Sequence, residues 1–296
     1  MAENAGNSNI ITRKYLDSLL IQTRFMNADY PDPSFELYGK EFPSPIMTAA
    51  LSHLDHFMFE GAAKEFAKGA ADSGLLTWYG MADEEEIEMI LSCGGSLIEV
   101  IKPYADRNII YKKLEHAKEK GVLAVGIDID HAFSPDGGPD EVSGYTMAPL
   151  TTAELTDICG STDLPVIVKG VLSLYDTEEA LKAGARGIVI SHHNNRIEYA
   201  VPPLKILPEI AKEIDNTIPI FVDCEIKTGM DAFKAIALGA DAVCIGRPLM
   251  TAIKDNGAQG VCDYLKKAEA ELKKTMAFTG CKSIADIKKY RLITTL

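Results

Sequence analysis

The chain has 296 residues, 47% of them hydrophobic, and a formal net charge of −13. This size allows one large α/β barrel or two smaller domains with an ample core. The negative charge argues against nucleic acid and anionic membrane as partners. Its six cysteines show neither CxxC nor zinc spacing, which is typical of reduced thiols in a cytoplasmic protein. We recognise no secretory signal and no apolar stretch of the ~18 residues that a membrane span needs.

The predicted elements begin with a polar segment, residues 1–9, that we expect to be disordered. A mixed polar and apolar pattern predicts a helix over 11–29, ended by Pro31 and Pro33. Eight short apolar runs follow, each typical of a strand buried on both faces in a parallel sheet. They are residues 45–50, 75–79, 96–101, 122–129, 165–168, 187–190, 219–222 and 242–245.

Helical patterns separate most of these strands. They cover residues 60–73, 84–91, 110–120, 177–183, 204–214 and 230–238, and most end at a glycine suited to a left-handed C-cap. Eight β/α units in series predict a (β/α)8 TIM barrel, and no GxGxxG motif supports a doubly wound sheet instead. Residues 261–274 and 283–290 are predicted to be closing helices. With no recognisable linker, we treat residues 1–296 as a single domain.

Polar and charged residues gather where the later predicted strands end, which is the rim where a barrel places its active site. They are Asp128, Asp130 and His131 after the fourth strand, Lys169 after the fifth, Ser191, His192, His193, Asn194 and Arg196 after the sixth, Asp223, Glu225 and Lys227 after the seventh, and Gly246 and Arg247 after the eighth. So many cations in an acidic protein indicate an anionic ligand, such as a phosphate together with a carboxylate. The Pro- and Gly-rich stretch 131–150 is a candidate lid.

The sixth strand end carries the most informative pair, His193 and Arg196. An imidazole that accepts a proton and a guanidinium that binds a carboxylate suit an oxidation at the carbon beside that carboxylate. Lys169 is predicted either to pair with Asp128 or Asp130 or to hold a ligand. Gly246 and Arg247 form either a phosphate site or a simple surface turn.

Two other residues at the rim are given no chemical role. His192 should point to the other side of its segment from His193, so we predict that it is structural. Cys224 has no identifiable His and Asn partners, so it is not predicted to be a nucleophile.

Several segments resemble the FMN-dependent α-hydroxy acid oxidase and dehydrogenase family, which includes glycolate oxidase, lactate oxidase and the flavin domain of flavocytochrome b2. The resemblance is strong and collinear over about 164–290 and weaker over about 34–130. It rests on the lysine at 169, the Ser-x-His-x-x-Arg pattern at 191–196 and the Gly-Arg-Pro pattern at 246–248 taken together.

The resemblance implies a role for each matching residue. His193 would be the base, Asp130 would orient it, and Arg196 would hold the substrate carboxylate. Lys169 would stabilise negative charge on the reduced flavin. The remaining flavin contacts would come from Thr48, Ala49, Ala50, Tyr79, Glu99, Asp128, Ser191, Asp223, Lys227, Gly246 and Arg247. No metal is implied.

This sequence also departs from the family pattern. Asn194 and Asn195 replace small residues beside the base, and Asp223-Cys224-Glu225 replaces Asp-Gly-Gly. The family's Gln-x-Tyr on the third strand aligns with 99–101, and a threonine on the fourth strand is replaced by Asp128. An arginine after the fourth strand and an N-terminal substrate tyrosine are missing. The sequence therefore supports flavin binding more strongly than turnover of an ordinary α-hydroxy acid.

The leading hypothesis is an FMN-dependent oxidoreductase that converts a 2-hydroxy acid to the 2-oxo acid by hydride transfer to flavin, with His193 as base. Alternatives are an FMN enzyme with another substrate or a non-redox isomerase reaction, an aldolase-type barrel with Lys169 as a Schiff-base amine, and a non-catalytic flavin-binding protein. The expected partner is a small anionic substrate, and the resemblance implies a homo-oligomer, typically a tetramer. The substrate and the electron acceptor stay open.

Overall fold

The computed structural model describes residues 5–295, which form a barrel of eight strands surrounded by helices. The strands are Ile46–Thr48 (β1), Thr77–Gly80 (β2), Leu97–Ile101 (β3), Ala124–Asp128 (β4), Val166–Val171 (β5), Gly187–Ile190 (β6), Ile220–Val222 (β7) and Ala242–Ile245 (β8). Each coincides with one of the predicted apolar runs, because a strand covered on both faces needs apolar side chains on both. The predicted (β/α)8 fold is confirmed.

The strands are parallel, and the order of hydrogen-bonded neighbours is β1-β8-β7-β6-β5-β4-β3-β2. Single bridges from Met47 to Leu76 and from Leu51 to Tyr79 join β1 to β2. The barrel is therefore nearly closed, and the carboxyl ends of all eight strands lie on one rim.

Eleven helices are present in the described part of the chain. They are Ser8–Ser18 (α1), Leu54–Phe57 (α2), Ala62–Ser73 (α3), Glu84–Ser92 (α4), Arg107–Lys120 (α5), Thr152–Gly160 (α6), Leu174–Lys182 (α7), Pro203–Ile214 (α8), Gly229–Ala237 (α9), Arg247–Thr279 (α10) and Ile284–Ile287 (α11). Gly74 and Gly121 cap α3 and α5 in the left-handed conformation, as predicted. The helix α10 is kinked at Asn256 and Gly257.

Alternation along the strands decides which residues face the barrel interior. Met47, Trp78, Ile98, Val100 and Phe221 belong to the interior cluster. A hairpin formed by residues 35–37 and 40–42 adds Leu37 and Phe42 to this cluster. Residues in phase with the interior positions therefore point toward the axis at the carboxyl rim, where they form the candidate site.

Both predictions for the N-terminus need correction. The predicted helix over 11–29 ends at Ser18, because Leu19 and Leu20 pair with residues 293–294 as a short antiparallel strand. Of the segment predicted to be disordered, residues 1–4 lie outside the described part. Ser8 already belongs to α1, and the Asn7 side chain caps the helix by accepting from the N–H groups of residues 9 and 10.

Two other regions differ from the expectation. The helix α6 was not predicted, although Thr151 and Glu154 form a capping box at its start. The candidate lid 131–150 is not wholly irregular, because Glu141–Val142 and Tyr145–Thr146 pair within it. Across residues 5–295 no helix combines the length and the apolar character needed to cross a bilayer.

Candidate active site

The ends of β3 to β6 bring five charged or titratable side chains into contact, and we call them the inner cluster: Lys102, Asp128, Asp130, Lys169 and His193. Lys102 Nζ donates to Asp128 Oδ2 at 2.6 Å, and Lys169 Nζ donates to Asp128 Oδ1 at 3.1 Å. Lys169 is only 4% exposed and Asp128 only 1%. Because buried charges are stable only when paired, Asp128 holds both ammonium groups at the top of the barrel.

Lys102 is the residue of this cluster that sequence reasoning missed. Matching the family's Gln-x-Tyr to 99–101 placed the third strand one residue out of phase. Ile98 and Val100 face the interior, so the next inward position is Lys102. Counting every second residue along β3 from the inward-facing Ile98 leads to Lys102.

His193 occupies the centre of the cluster. Its Nδ1 lies 2.8 Å from Asp130 Oδ1, 3.5 Å from Asp128 Oδ1 and 3.2 Å from Lys169 Nζ. We assign the Nδ1 proton to a hydrogen bond with Asp130, the nearest acceptor. The other ring nitrogen, Nε2, lies 3.1 Å from His131 Nε2, and His131 Nδ1 lies 3.1 Å from Asp140 Oδ2.

The backbone around His193 explains the unusual sequence there. His193, Asn194 and Asn195 all have positive φ, at 46°, 56° and 69°. After glycine, asparagine is among the residues that best tolerate this region, so Asn194 and Asn195 can adopt this turn where the resemblance implies small residues. The Ser191 hydroxyl accepts from the His193 N–H at 3.0 Å and fixes the start of the turn.

Gly170 is required where β5 meets β4. Its φ is +97°, and a Cβ added there would lie 2.5 Å from Asp130 Cγ. Any side chain at this position would therefore push Asp130 away from His193.

The pKa values of the two imidazoles in this network are shifted in opposite directions. Burial and the nearby Lys169 ammonium act to lower the pKa of His193. Asp128 and Asp130 act more strongly in the other direction, so the pKa is raised above its ordinary value. Burial and the positive charge of Lys102 lower the pKa of His131 to about 3. A protonated His193 thus donates from both nitrogens, to Asp130 and to a neutral His131, while His131 Nδ1–H donates to Asp140.

The carboxylates of the cluster are also perturbed. Burial would raise the pKa of Asp128, yet Lys102 and Lys169 hold it well below its usual range. Burial and the adjacent negative charge of Asp128 raise the pKa of Asp130. The Oδ2 atom of Asp130 is buried without a hydrogen-bond partner in the described part of the chain, so it can accept from a bound molecule.

Arg196 lies beside the base, although its guanidinium is already engaged. Its Nε donates to the Asp130 carbonyl at 2.7 Å, and its Nη2 donates to Asp140 Oδ2 at 2.5 Å and to the Phe133 carbonyl. The candidate lid therefore supplies two of the three acceptors. A substrate carboxylate that binds Arg196 has to compete with Asp140.

A cavity of about 320 Å³ opens beside the inner cluster. Lys169, His193 and Asp223 line its polar wall, while Ala49 and Ala50 line its apolar wall. The complete lining also includes Asn9, Leu51, Ser52, Asn194, Cys224, Glu225, Ile226, Lys227, Cys244, Gly246, Arg247, Pro248 and Met250. Strands β1, β5, β6, β7 and β8 thus contribute to a single concave site.

Two cations and one carboxylate of this lining make up what we call the outer cluster: Glu225, Lys227 and Arg247. Lys227 Nζ lies 2.6 Å from Glu225 Oε2, and Arg247 Nη2 donates to Glu225 Oε1. The Glu225 side chain is 6% exposed, against 43% for Lys227 and 49% for Arg247. The cations that were expected to meet a phosphate are therefore already bound to a carboxylate, so the rim is less positive than the sequence suggested.

Strand alternation turns the side chains of three residues with predicted flavin contacts away from the cavity. The Tyr79 hydroxyl donates to Glu86 Oε1 at 2.5 Å in the layer between barrel and helices. Glu99 faces the same layer, 3.6 Å from Lys113 of α5, and burial raises its pKa to about 7. The Thr48 hydroxyl accepts from the Trp78 N–H at 2.9 Å in the seam between β1 and β2. None of these three side chains lines the cavity.

His192 and Cys224, which were given no chemical role, have the surroundings of structural residues. His192 is 3% exposed and its Nε2 lies 2.9 Å from Thr12 Oγ1 of α1, as suits a structural residue. The Cys224 thiol donates to Asp223 Oδ1 at 2.9 Å, and burial keeps its pKa far above the usual value. A thiol in that state is a poor nucleophile.

Four residues of this region place potential metal-ligand atoms within 4.8 Å of one another: Asp128, Asp130, His131 and His193. Both oxygens of Asp128 already accept from lysines, and the Lys169 ammonium lies 3.2 Å from His193. Neighbouring ammonium groups repel a divalent cation. The cluster is therefore better suited to moving a proton than to holding a metal.

A family model described as FMN-dependent dehydrogenase matches residues 3–157 and 137–294. Glycolate oxidase 2 of Oryza sativa subsp. indica is 29% identical over 300 residues, covering 89% of this chain and 81% of the relative. L-lactate oxidase of Lacticaseibacillus rhamnosus is 26% identical, covering 96% of this chain and 85% of the relative. The structure of mandelate oxidase with (S)-2-phenylpropionate superposes with a TM-score of 0.86 at 26% identity, covering 98% of this chain and 92% of the other.

The cavity suits a flavin nucleotide in its chemistry. An apolar wall at Ala49, Ala50 and Leu51 can cover an aromatic ring, and the buried Lys169 ammonium can stabilise negative charge on it. Lys227 and Arg247 can meet a phosphate, although they must share it with Glu225. Asp223 provides acceptors for sugar-like hydroxyl groups along the same wall. The residues present therefore fit FMN, with one unusual contact at the phosphate.

Proposed function

Because the chain belongs to the family of FMN-dependent dehydrogenases, we propose that it oxidises a 2-hydroxy acid to the 2-oxo acid, with FMN as the two-electron acceptor. The observation that carries this proposal is His193, held 2.8 Å from Asp130 on the wall of the cavity that also contains Lys169. A base, its orienting carboxylate and a fixed cation are the groups that this oxidation needs from the protein.

His193 acts as the base in this proposal. Asp130 accepts a hydrogen bond from Nδ1–H, so the lone pair that takes the proton of the substrate hydroxyl is on Nε2. The substrate hydroxyl must displace or share the contact of this nitrogen with His131 Nε2 at 3.1 Å. Asp128 and Asp130 favour the protonated ring, so the proton is held after it is transferred. His131 accepts from the same nitrogen and stabilises the protonated state further.

Arg196 is the proposed ligand of the substrate carboxylate. It is the cation nearest the base on the same turn, and a guanidinium can bind a carboxylate with two parallel hydrogen bonds. The contact with Asp140 must be released or shared when substrate binds. We therefore expect weaker substrate binding than a free guanidinium would give.

The Schiff-base alternative is disfavoured by the state of Lys169. Burial would lower its pKa, but Asp128 and Asp130 raise it well above the usual value. A Schiff-base lysine must be a neutral amine, whereas this one is a paired ammonium. A stabilising role toward anionic flavin agrees better with that geometry.

The test is anaerobic mixing of FMN-loaded protein with a panel of 2-hydroxy acids, with flavin absorbance as the readout. We expect at least one acid to bleach the flavin. The substitution His193→Ala should slow bleaching by roughly 100- to 10,000-fold, the usual contribution of a general base, while FMN still binds. His116→Ala, which removes an imidazole from α5, is the matched control and should reduce at the wild-type rate.

Two results would overturn the proposal. Reduction of His193→Ala at the wild-type rate would exclude the imidazole as base. Tight FMN binding with no reduction by any acid of the panel would favour a flavoprotein with another reaction.

A further inference from the structure

The outer cluster contains an internal anion where the cofactor's phosphate is expected. Both cations, Lys227 and Arg247, contact the carboxylate of Glu225. That carboxylate is almost fully buried, while its two partners are nearly half exposed. The cations therefore remain reachable from the cavity, with a carboxylate directly beside them.

The position of Glu225 is fixed by the backbone and by α1. Cys224 and Glu225 have φ values of +63° and +62°, a region that non-glycine residues seldom adopt. Arg13 of α1 donates to the Glu225 carbonyl at 3.1 Å and is anchored by Asp231 at 2.9 Å. The backbone that carries the carboxylate is therefore held in place, and we expect an incoming phosphate to bind next to this carboxylate.

This arrangement affects how strongly the terminal group of the flavin side chain binds, whether that group is a phosphate or a hydroxyl. A phosphate monoester carries about −1.5 to −2 charges at pH 7 and offers mainly acceptors, so it gains from Lys227 and Arg247 but is repelled by Glu225. A terminal hydroxyl is neutral and can donate to a carboxylate. The outer cluster therefore offers a favourable partner to either end group.

We propose that Glu225 weakens the preference of the site for FMN, so that riboflavin binds with an affinity close to that of FMN. The preference is weakened because Glu225 neutralises part of the positive charge that would otherwise favour the phosphate. This inference rests on the flavin-binding part of the proposed function and not on the oxidation or on the choice of base.

The experiment compares dissociation constants of riboflavin and FMN for apoprotein, measured by quenching of flavin fluorescence. For the wild type we expect the two constants to agree within about tenfold. Glu225→Gln keeps the size of the side chain and removes its charge. It should strengthen FMN binding by about 10- to 100-fold, the effect of gaining a charged hydrogen bond, and leave riboflavin binding equal or weaker. Glu41→Gln removes the same charge from the exposed hairpin at the opposite end of the barrel and should leave the ratio unchanged.

A second variant protects the test against misfolding. Glu225→Gly suits the positive φ at this position better than the native residue does, so it should fold and should also favour FMN. Wild-type preference for FMN by more than about 1,000-fold, or an unchanged ratio in both variants, would overturn the proposal. Failure of wild type and variants to bind either flavin would also overturn it. If the ratio of the two dissociation constants behaves as proposed but no 2-hydroxy acid is oxidised, only the proposed reaction is rejected.

Discussion

The inner and outer clusters use the same pairing of a carboxylate with two cations, but in different surroundings. Asp128 binds Lys102 and Lys169 where all three side chains are buried, whereas Glu225 binds two cations that are nearly half exposed. Water screens the outer pairs and barely reaches the inner ones. We therefore expect the inner carboxylates to affect folding stability and proton transfer, and the outer carboxylate to affect the affinity for flavin.

The sharpest test of this difference is the stability of Asp128→Ala. The substitution leaves two ammonium groups buried without their counterion, and breaking a buried pair in this way costs about 3–5 kcal/mol. Urea denaturation should show this loss of unfolding free energy. Asp72→Ala, which breaks an exposed pair with Lys68 at 2.9 Å, is the control and should cost less than about 1 kcal/mol.

A double variant separates lost pairing from a general packing defect. Lys102→Met in the Asp128→Ala background removes one of the two stranded charges, so part of the lost stability should return. If Asp128→Ala unfolds at the wild-type urea concentration, or if the second substitution only adds to the loss, buried pairing is not what stabilises the inner cluster.

Asp130→Asn tests the electrostatics of the base. The carboxylates raise the pKa of His193, and His193 must be neutral to accept a proton, so wild-type reduction should fail as pH falls through a value above the ordinary pKa of about 6.5. Removing the Asp130 charge lowers that pKa. The acidic limb of the profile should move to lower pH, and the plateau rate should drop by about 100-fold because the protonated ring is less stabilised.

The measurement is the rate of anaerobic flavin reduction across a pH series at saturating substrate. Asp136→Asn, an exposed carboxylate of the candidate lid, serves as control and should keep the wild-type profile. An acidic limb that stays in place in Asp130→Asn would show that the limb belongs to another group.

The same comparison shows what could be read from sequence. The eight strands were predictable because apolar runs buried on both faces are distinctive, and glycines marked several helix ends. Lys169 and His193 were found because a barrel gathers its strand ends on one rim. Tyr79 and Glu99 were misplaced because the choice of face along a strand depends on a register that a single residue of error reverses.

Contacts made by loops were the hardest to predict. Asp140 reaches Arg196 and His131 only through the path of the 131–150 segment, and no local pattern encodes that path. Glu225 was recognised as a departure from the family's Asp-Gly-Gly pattern, but its direction depends on a strained backbone and on Arg13 of α1. The sequence therefore predicts which groups are present at the rim better than it predicts which of them neutralise one another.

The smallest expected effect comes from Asp140→Asn. The ion pair of Asp140 with Arg196 is more exposed than the two lysine pairs of Asp128 in the inner cluster and less exposed than the pairs of the outer cluster. Arg196 is about one-quarter exposed and Asp140 about one-seventh, so their pair is partly screened. Burial would raise the pKa of Asp140, but Arg196 holds it below its usual value, so the carboxylate is charged and competes with substrate near neutral pH. Removing that charge frees the guanidinium, and KM for the 2-hydroxy acid should fall by roughly three- to tenfold, about the effect of an exposed to half-buried ion pair. Steady-state kinetics should show kcat changed by less than about twofold, since Asp140 does not touch His193 directly. A KM that rises instead would mean that Asp140 orients Arg196 for the substrate and does not compete with it.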